Sequence, residues 1–392
     1  MTSRKSLIAA GASAVAVAAL GYRLWDRGAL ALGEGPPYDP WDEWRGREDD
    51  GRRRPLRAAV LAASPHNTQP WLFEVSDGSV AVYADRARHL GAFDPFRREL
   101  HLGLGCAIEN LVRAARAFGI APAVEPVSGR LEPSPGAEPV LAARVSLDRS
   151  GPADGALFAA IPRRRTDRGP YREAPIPPDQ LRALGDLASG PDVRVVFLSD
   201  DGARHELGTV LVDATRRIVE DAEMSRDSYR WVRMGRREIQ GHRDGITIET
   251  SGSSRLVTLA AKVLPDLDEA TTHRSWLATT RDVHAATAAV FGIVLVRDRL
   301  DMAQAIAAGR AWQRLHLAAT AQGLVAQPLN QPVEMIDRNQ ALARNDAYGP
   351  ALARLADAGD WEPTFVFRLG YPTREALHSP RRVLEDVIRA VS

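Results

Sequence analysis

The chain has 392 residues, 51 basic and 50 acidic side chains, a formal net charge of +1 and one cysteine, and 45% of it is hydrophobic. That charge balance excludes the strongly basic face that nucleic-acid binding needs, and the hydrophobic fraction excludes a disordered chain. Cys106 has no second cysteine to pair with, which excludes an internal disulfide framework and a cysteine-rich zinc site, and the length fits two ordinary domains or one large one.

At the amino terminus, Ser3-Arg4-Lys5 precedes an uncharged, mostly small run from Leu7 to Leu20, with Arg23 beyond it. A spanning helix wants about 20 apolar residues, so the run matches the apolar core of a signal peptide better than a full span. An uncleaved anchor is the alternative. Residues 1–27 are therefore expected as a signal-like or anchor segment, with membrane contact through residues 6–24 and a membrane-associated or exported chain. Ser3 to Ile8 also resembles a weakened twin-arginine signal, with Lys5 in place of the second arginine. Residues 28–50, rich in proline, tryptophan and charge from Gly33 on, are expected as a linker.

Runs of Val, Phe and Leu predict strands at Leu72–Tyr83, Val140–Leu147, Val193–Leu198, Val290–Val296 and Thr364–Leu369. Apolar spacing predicts helices at Arg52–Ala63, Leu100–Phe118, Pro178–Leu187, Gly202–Asp221, Met302–Gln322 and Arg381–Val391. Elements mixed in this order predict an α+β or α/β layered architecture.

Two of these helices resemble each other. A shift of 204 positions places Gly105 on Gly309, Leu111 on Leu315, Ala114 on Ala318 and Gly119 on Gly323. Each helix ends at a glycine suited to a left-handed C-cap, and the small residues between would let two helices approach closely. The chain reads as two related halves, residues 51–155 and 156–392. An arginine-rich stretch at 224–250 reads as a lid or as a surface insertion.

Three segments carry candidate chemistry. Ser64-Pro65-His66-Asn67-Thr68-Gln69-Pro70-Trp71 is a polar loop held by prolines, and also reads as a plain helix-to-strand turn. Arg163-Arg164-Arg165-Thr166-Asp167-Arg168 groups guanidiniums suited to bidentate phosphate binding, and also reads as a solvated cluster. Gly323 to Pro332 is a stiff loop whose amides could face a ligand. The histidines show no metal-ligand spacing, Gly103-Leu104-Gly105 lacks the spacing of a dinucleotide fingerprint, and no nucleophile elbow is present. No metal site is expected.

On these segments the chain resembles the flavin-binding nitroreductase superfamily, in its two-repeat, single-chain Acg-like branch. Arg164-Arg165-Thr166-Asp167-Arg168 is similar to that family's Arg-Arg-Ser-x-Arg segment, and Ser64, Asn67, Gln69, Pro70 and Trp71 match its Ser-x-x-Asn-x-Gln-Pro-Trp segment. Gly323 to Asn330, Gly370-Tyr371-Pro372 with Arg381 or Arg382, and Asp94 to Leu100 also look like the family.

The resemblance implies an α+β nitroreductase-like fold, duplicated in tandem into a monomeric pseudodimer with mixed or antiparallel sheets and long core helices. It implies one FMN per chain, because the first half carries the Ser-x-x-Asn loop and the second carries the arginine segment. The implied FMN-binding residues are Ser64, Pro65, Asn67, Gln69, Arg164, Arg165, Thr166, Arg168, Pro328, Leu329, Asn330 and Arg381. The arginines would hold the phosphate, and an amide at Leu329 or Asn330 would face the ring. No catalytic side chain is required, since the flavin carries the redox step. The implied activity is an FMN-dependent oxidoreductase passing hydride or electrons from NAD(P)H to a nitroaromatic or quinone-like acceptor. A protein that stores FMN under a lid is the alternative.

Overall fold

The structure is a computed structural model that describes residues 18–19, 21–29, 31–133, 136–264 and 267–390. Most of the apolar run expected at Leu7–Leu20 lies outside the described residues. Among the described residues no helix is long and apolar enough to cross a membrane. Residues 21–26 are helical.

The fold is α+β. Its first part runs α1 (Arg54–Ala59), β1 (Trp71–Ser76), β2 (Ser79–Ala84), α2 (Arg98–Ala117), β3 (Ala123–Pro126) and β4 (Val140–Ser146). Then come α3 (Pro178–Ala188), β5 (Arg194–Leu198), α4 (Asp201–Glu220), α5 (Ala222–Tyr229), β6 (Val232–Arg233), α6 (Arg236–His242), β7 (Ile246–Thr247), α7 (Arg255–Val263) and α8 (Glu269–Thr279). The last part holds β8 (Val290–Val296), α9 (Met302–Ala321), β9 (Val325–Pro328), α10 (Gln331–Ala341), α11 (Tyr348–Leu355), β10 (Glu362–Gly370) and β11 (Ile388–Arg389).

Two sheets repeat one plan. In the first, the order is β11-β1-β2-β4-β3, and β1 to β4 pair antiparallel. In the second, the order is β5-β8-β10-β9, again antiparallel. Each sheet is thus two strands, a long helix, then two strands that add in reverse order. The long helices are α2 and α9, whose bounds differ by the same 204 positions as the matched residues.

The residue pattern explains the layers. Along β8 every side chain is buried. Val290, Val294 and Val296 enter the core beneath α2 and α9, while Phe291, Ile293 and Leu295 enter a second core shared with α4, α10 and α11. A strand covered on both faces carries a continuous apolar run, as this one does.

Three expectations change. Leu72–Tyr83 is a hairpin, because Asp77-Gly78 turns the chain with Gly78 at φ +82°. Residues 28–50 do more than link: Tyr38 and Trp41 are buried in the core and Trp44 packs 4.7 Å from Phe158. Apolar rings of that size are better buried than left in water. Finally, the helix expected at Arg381–Val391 does not form over residues 381–390, and Val391 lies outside the described residues. Leu384–Val387 makes one tight turn and β11 pairs parallel to β1, Phe73 against Ile388. That pairing supplies backbone partners to the open edge of β1.

Glu109 on α2 is fully buried and joins the two long helices. It meets Arg113 at 2.6 Å, Arg314 of α9 at 2.9 Å and Arg310 of α9 at 3.1 Å. Burial pushes its pKa up, but the hydrogen bond and charge of Arg314, with Arg113 and Arg310, hold it down at about 2. The folded value lies below the ordinary 4.5. Its contribution is therefore present above pH 4.5 and lost as pH falls towards 2. Glu109→Gln is expected to cost about 2–3 kcal/mol at pH 7, because it removes the charge that three partly buried guanidiniums share. Urea unfolding at pH 7 and pH 3 checks this, and the deficit should narrow at the lower pH. An equal deficit at both would show that the carboxylate charge is not its source.

Candidate active site

Two adjoining cavities lie at the α2–α9 crossing. The larger, about 330 Å³, is lined by Ser64, Pro65 and His66, by Gly103 and Cys106 of α2, by Trp312 of α9, and by Pro328, Asn330 and Glu334 around the start of α10. The smaller, about 30 Å³, is lined by Asn67, Arg164, Arg165, Arg381, Trp41 and His378. Ala63, Ser64, Thr166 and Arg168 line both, so the two form one slot with a basic end.

That basic end lacks counter-charge. Arg164 and Arg381 are each 2% exposed. Arg164 donates to the Leu61 carbonyl at 3.2 Å, and Arg381 donates to Asn67 Oδ1 at 2.6 Å and to the carbonyls of Pro380 and Ala62. The Nε of each has no partner among the described residues. Arg168 donates to the Thr250 carbonyl at 3.0 Å. Among the described residues none of the three forms an ion pair, whereas Arg165 pairs with exposed Glu375 at 3.1 Å. Burial pushes Arg164 and Arg168 down to about 10. Those two still carry their charge at neutral pH, burial beside Arg164 lowers Arg381 further, and two buried guanidiniums with the half-buried Arg168 around one small space make a receptor for an anion.

The loop from Ser64 to Gln69 is strained and pinned. His66, Asn67 and Gln69 have φ of 46°, 55° and 51°, a region that costs a non-glycine residue about 1 kcal/mol or more. Ser64 Oγ accepts from the Gln69 amide at 3.0 Å, Gln69 Nε2 donates to the Arg243 carbonyl at 2.8 Å, and Gln69 Oε1 accepts from the Arg382 amide at 2.8 Å. Asn67 Nδ2 donates to the carbonyls of Pro380 at 3.0 Å and Gly245 at 3.2 Å. The loop is thereby tied to the segment around 243–245 and to the C-terminal strap that carries Arg381.

Of the residues singled out from sequence, Ser64, Pro65, Thr166, Arg168, Pro328 and Asn330 line the larger cavity, and Asn67, Arg164, Arg165 and Arg381 line the smaller. Two do not reach either. Gln69 is fully buried behind the loop. Leu329 lies in the second core, and its N–H donates to the Val366 carbonyl at 2.8 Å; an amide already in the sheet ladder cannot face a ligand. Asn67 also differs in part, since its side chain is committed to Arg381 and two carbonyls.

Sequence reasoning missed the acidic wall. Glu99, in the first turn of α2, and Glu334, in the first turn of α10, both line the larger cavity and are each 6% exposed. Asn330 Nδ2 donates to Glu99. Burial raises both carboxyls, Glu99 to about 7 and Glu334 well above its ordinary value, the second also because Glu99 faces it. Two carboxyls so close keep one proton between them. The signals were Glu99 within the Asp94–Leu100 segment and Glu334 four residues after the Gly323–Asn330 loop, and neither gave its residue a role. The opposite wall is apolar, with Val232, Met234, Ile246 and Ile248 from the 224–250 stretch and Phe93 and Trp276 beside them.

No family model matches the chain. The curated protein "Putative NAD(P)H nitroreductase Rv3131" of Mycobacterium tuberculosis H37Rv is 28% identical over 349 residues, covering 86% of this chain and 90% of that protein. "Putative NAD(P)H nitroreductase acg" of the same strain is 33% identical over 183 residues, covering 44% of this chain and 50% of that protein. Among solved structures, the FMN-dependent nitroreductase NfnB of Mycobacterium smegmatis in complex with NADPH aligns with TM-score 0.38 at 19% identity, over 60% of this chain and 97% of that one. A nitroreductase with bound FMN from Bacteroides fragilis NCTC 9343 aligns with TM-score 0.34 at 17% identity, over 60% and 98%. The curated homologues of this chain are thus putative NAD(P)H nitroreductases, one of them matched along nearly its whole length and Acg along half.

Proposed function

We propose that the slot binds one FMN and that the chain is an oxidoreductase of nitroreductase type, passing hydride equivalents from NAD(P)H to a nitroaromatic or quinone-like acceptor. The observation that carries this reading is the set of buried arginines without ion pairs at the end of a cavity. The orphaned Nε atoms of Arg164 and Arg381 fit a phosphate, which accepts several charge-assisted hydrogen bonds at once. A duplicated chain explains why one such end is built from the Ser64–Asn67 loop of the first half and the Arg164–Arg168 segment of the second.

FMN, when bound, supplies the redox chemistry. The protein's residues bind, orient and exclude water. Arg164, Arg168 and Arg381 hold the phosphate, and Asn67 positions Arg381 through the 2.6 Å hydrogen bond. Pro328, Asn330 and the first turn of α10 wall the far end, where the helix start favours negative charge. Glu334, kept protonated beside Glu99, gives that wall a hydrogen-bond donor. Val232, Met234 and Ile246 line the cavity with apolar surface and would form its roof over the ligand.

The roof also favours a second reading, FMN storage with little turnover, since a closed cover would bar a second substrate. Purified protein is expected to be yellow with close to one flavin per chain. Anaerobic NAD(P)H should bleach it within seconds. Persistent colour would support storage, and a ratio near two would sink the single-site duplication.

A further inference from the structure

Helix α7 is turned inside out for a helix facing water. Its polar side chains point inward: Thr258 and Lys262 are each 3% exposed, and Lys262 Nζ meets Glu249 at 2.5 Å and the Arg27 carbonyl at 2.7 Å. Its apolar side chains point outward. Leu256 is 80% exposed, Val257 and Leu264 are more than half exposed, and Ala260 lies open between them. Positions 256, 257, 260 and 264 fall on one helical face. Helical residues 21–26 lie alongside, with Arg23 donating to the carbonyls of Val263 and Leu264. They add exposed Tyr22 and Trp25, and Leu267 follows α7. Six of the ten large apolar side chains exposed among the described residues thus belong to one patch.

We propose that this patch seats the protein on an anionic lipid surface, as a peripheral contact that does not span. Three features choose that occupant. Tyr22 and Trp25 have the amphipathic rings that settle at headgroup depth. Arg255 is exposed at the start of α7 and Arg236 stacks 5.2 Å from the Trp25 ring, so these two arginines put positive charge at the rim, while Arg237 beside them is paired with Asp26 at 3.3 Å. The chain leading into Tyr22 is the apolar run Leu7–Leu20, which is poorly suited to water. Ser253 and Leu267, on either side of α7 in sequence, also line the larger cavity, so docking sets the cavity rim against the lipid. The proposal does not rest on what fills that cavity.

Cys106 is buried, so Val257→Cys in the full chain can be labelled alone with an environment-sensitive dye. Asp360→Cys, at a position 81% exposed elsewhere, serves as control. With vesicles of phosphatidylglycerol and phosphatidylcholine, the label at 257 is expected to be quenched by lipid-borne quenchers and the control label not. Leu256→Asp with Leu264→Asp should lower vesicle partition about ten-fold, and added salt should weaken it. A chain that sediments with vesicles while the 257 label stays in water would overturn the proposal, since the apolar run alone would then hold it. A 257 label shielded without vesicles would also overturn it. Shielding that grows with protein concentration would point to a second copy, and constant shielding to the chain's own N-terminal segment.

Discussion

Arg164→Met is expected to weaken FMN binding about 10- to 100-fold and, at the same time, to stabilise the apoprotein. The first effect follows from the charge-assisted hydrogen bonds to a phosphate, worth about 1.5–3 kcal/mol, where 1.4 kcal/mol is ten-fold in affinity. The second follows from burial. Arg164 is 2% exposed, and among the described residues its Nε has no partner and its side chain makes one hydrogen bond, to the Leu61 carbonyl. An uncompensated buried cation costs several kcal/mol before relaxation, and a methionine of similar length removes that cost while leaving one carbonyl unpaired. The net gain in the apoprotein is about 1 kcal/mol or more by this argument. Arg165→Met is the contrast, since its side chain is 21% exposed and already paired with Glu375; its effect on binding should be under about five-fold. Flavin fluorescence titration and urea unfolding of the apoprotein measure both quantities. A less stable apoprotein with unchanged affinity would make Arg164 a structural residue.

What sequence made legible was local, and what it hid was long-range. The α2 and α9 helices, β4, β5, β8 and β10 follow from apolar period, so their bounds fall within a few residues of expectation. The loop at Ser64 and the arginines at 164–168 stand out because their residue types are unusual for a connection. Glu99 and Glu334 stayed hidden: each reads as an ordinary acidic residue in a helix's first turn, and only the crossing of the halves brings them to one wall. Arg381 and β11 were misread as helix for the same reason. Arg381 is held by carbonyls some 320 residues earlier in the chain, and β11 by β1. Local period carries no record of such partners. The short elements between 222 and 263 were missed because two-residue strands and helices of seven to nine residues give too little periodicity to read.

Gly309→Ala is expected to lower stability by about 1–2 kcal/mol and to weaken flavin binding with it. Two effects oppose each other. Alanine improves helix propensity by about 1 kcal/mol over glycine in a helix interior. Against that, α2 and α9 cross at this point with no room for a methyl group. A Cβ on Gly309 would fall on the backbone carbonyl of Leu102, and one on Gly105 would fall on the carbonyl of Ile306. Backbone cannot rotate away as a side chain can, so the helices must part, and overpacking of this kind costs about 1–3 kcal/mol and occasionally more. Parting also pulls on the Glu109 ion-pair network that spans the same two helices. The loss therefore outweighs the propensity gain. The site is coupled to the same crossing, because Leu102, Gly103 and Cys106 of α2 face Trp312 of α9 across the larger cavity, and a shift of about 1 Å in such a wall degrades ligand geometry. Thermal or urea unfolding together with the flavin-to-protein ratio checks the prediction. If alanine at 309 is neutral or stabilising, as propensity alone would have it, the close crossing of the two long helices is wrong, and with it the proposal that one site is built from two halves.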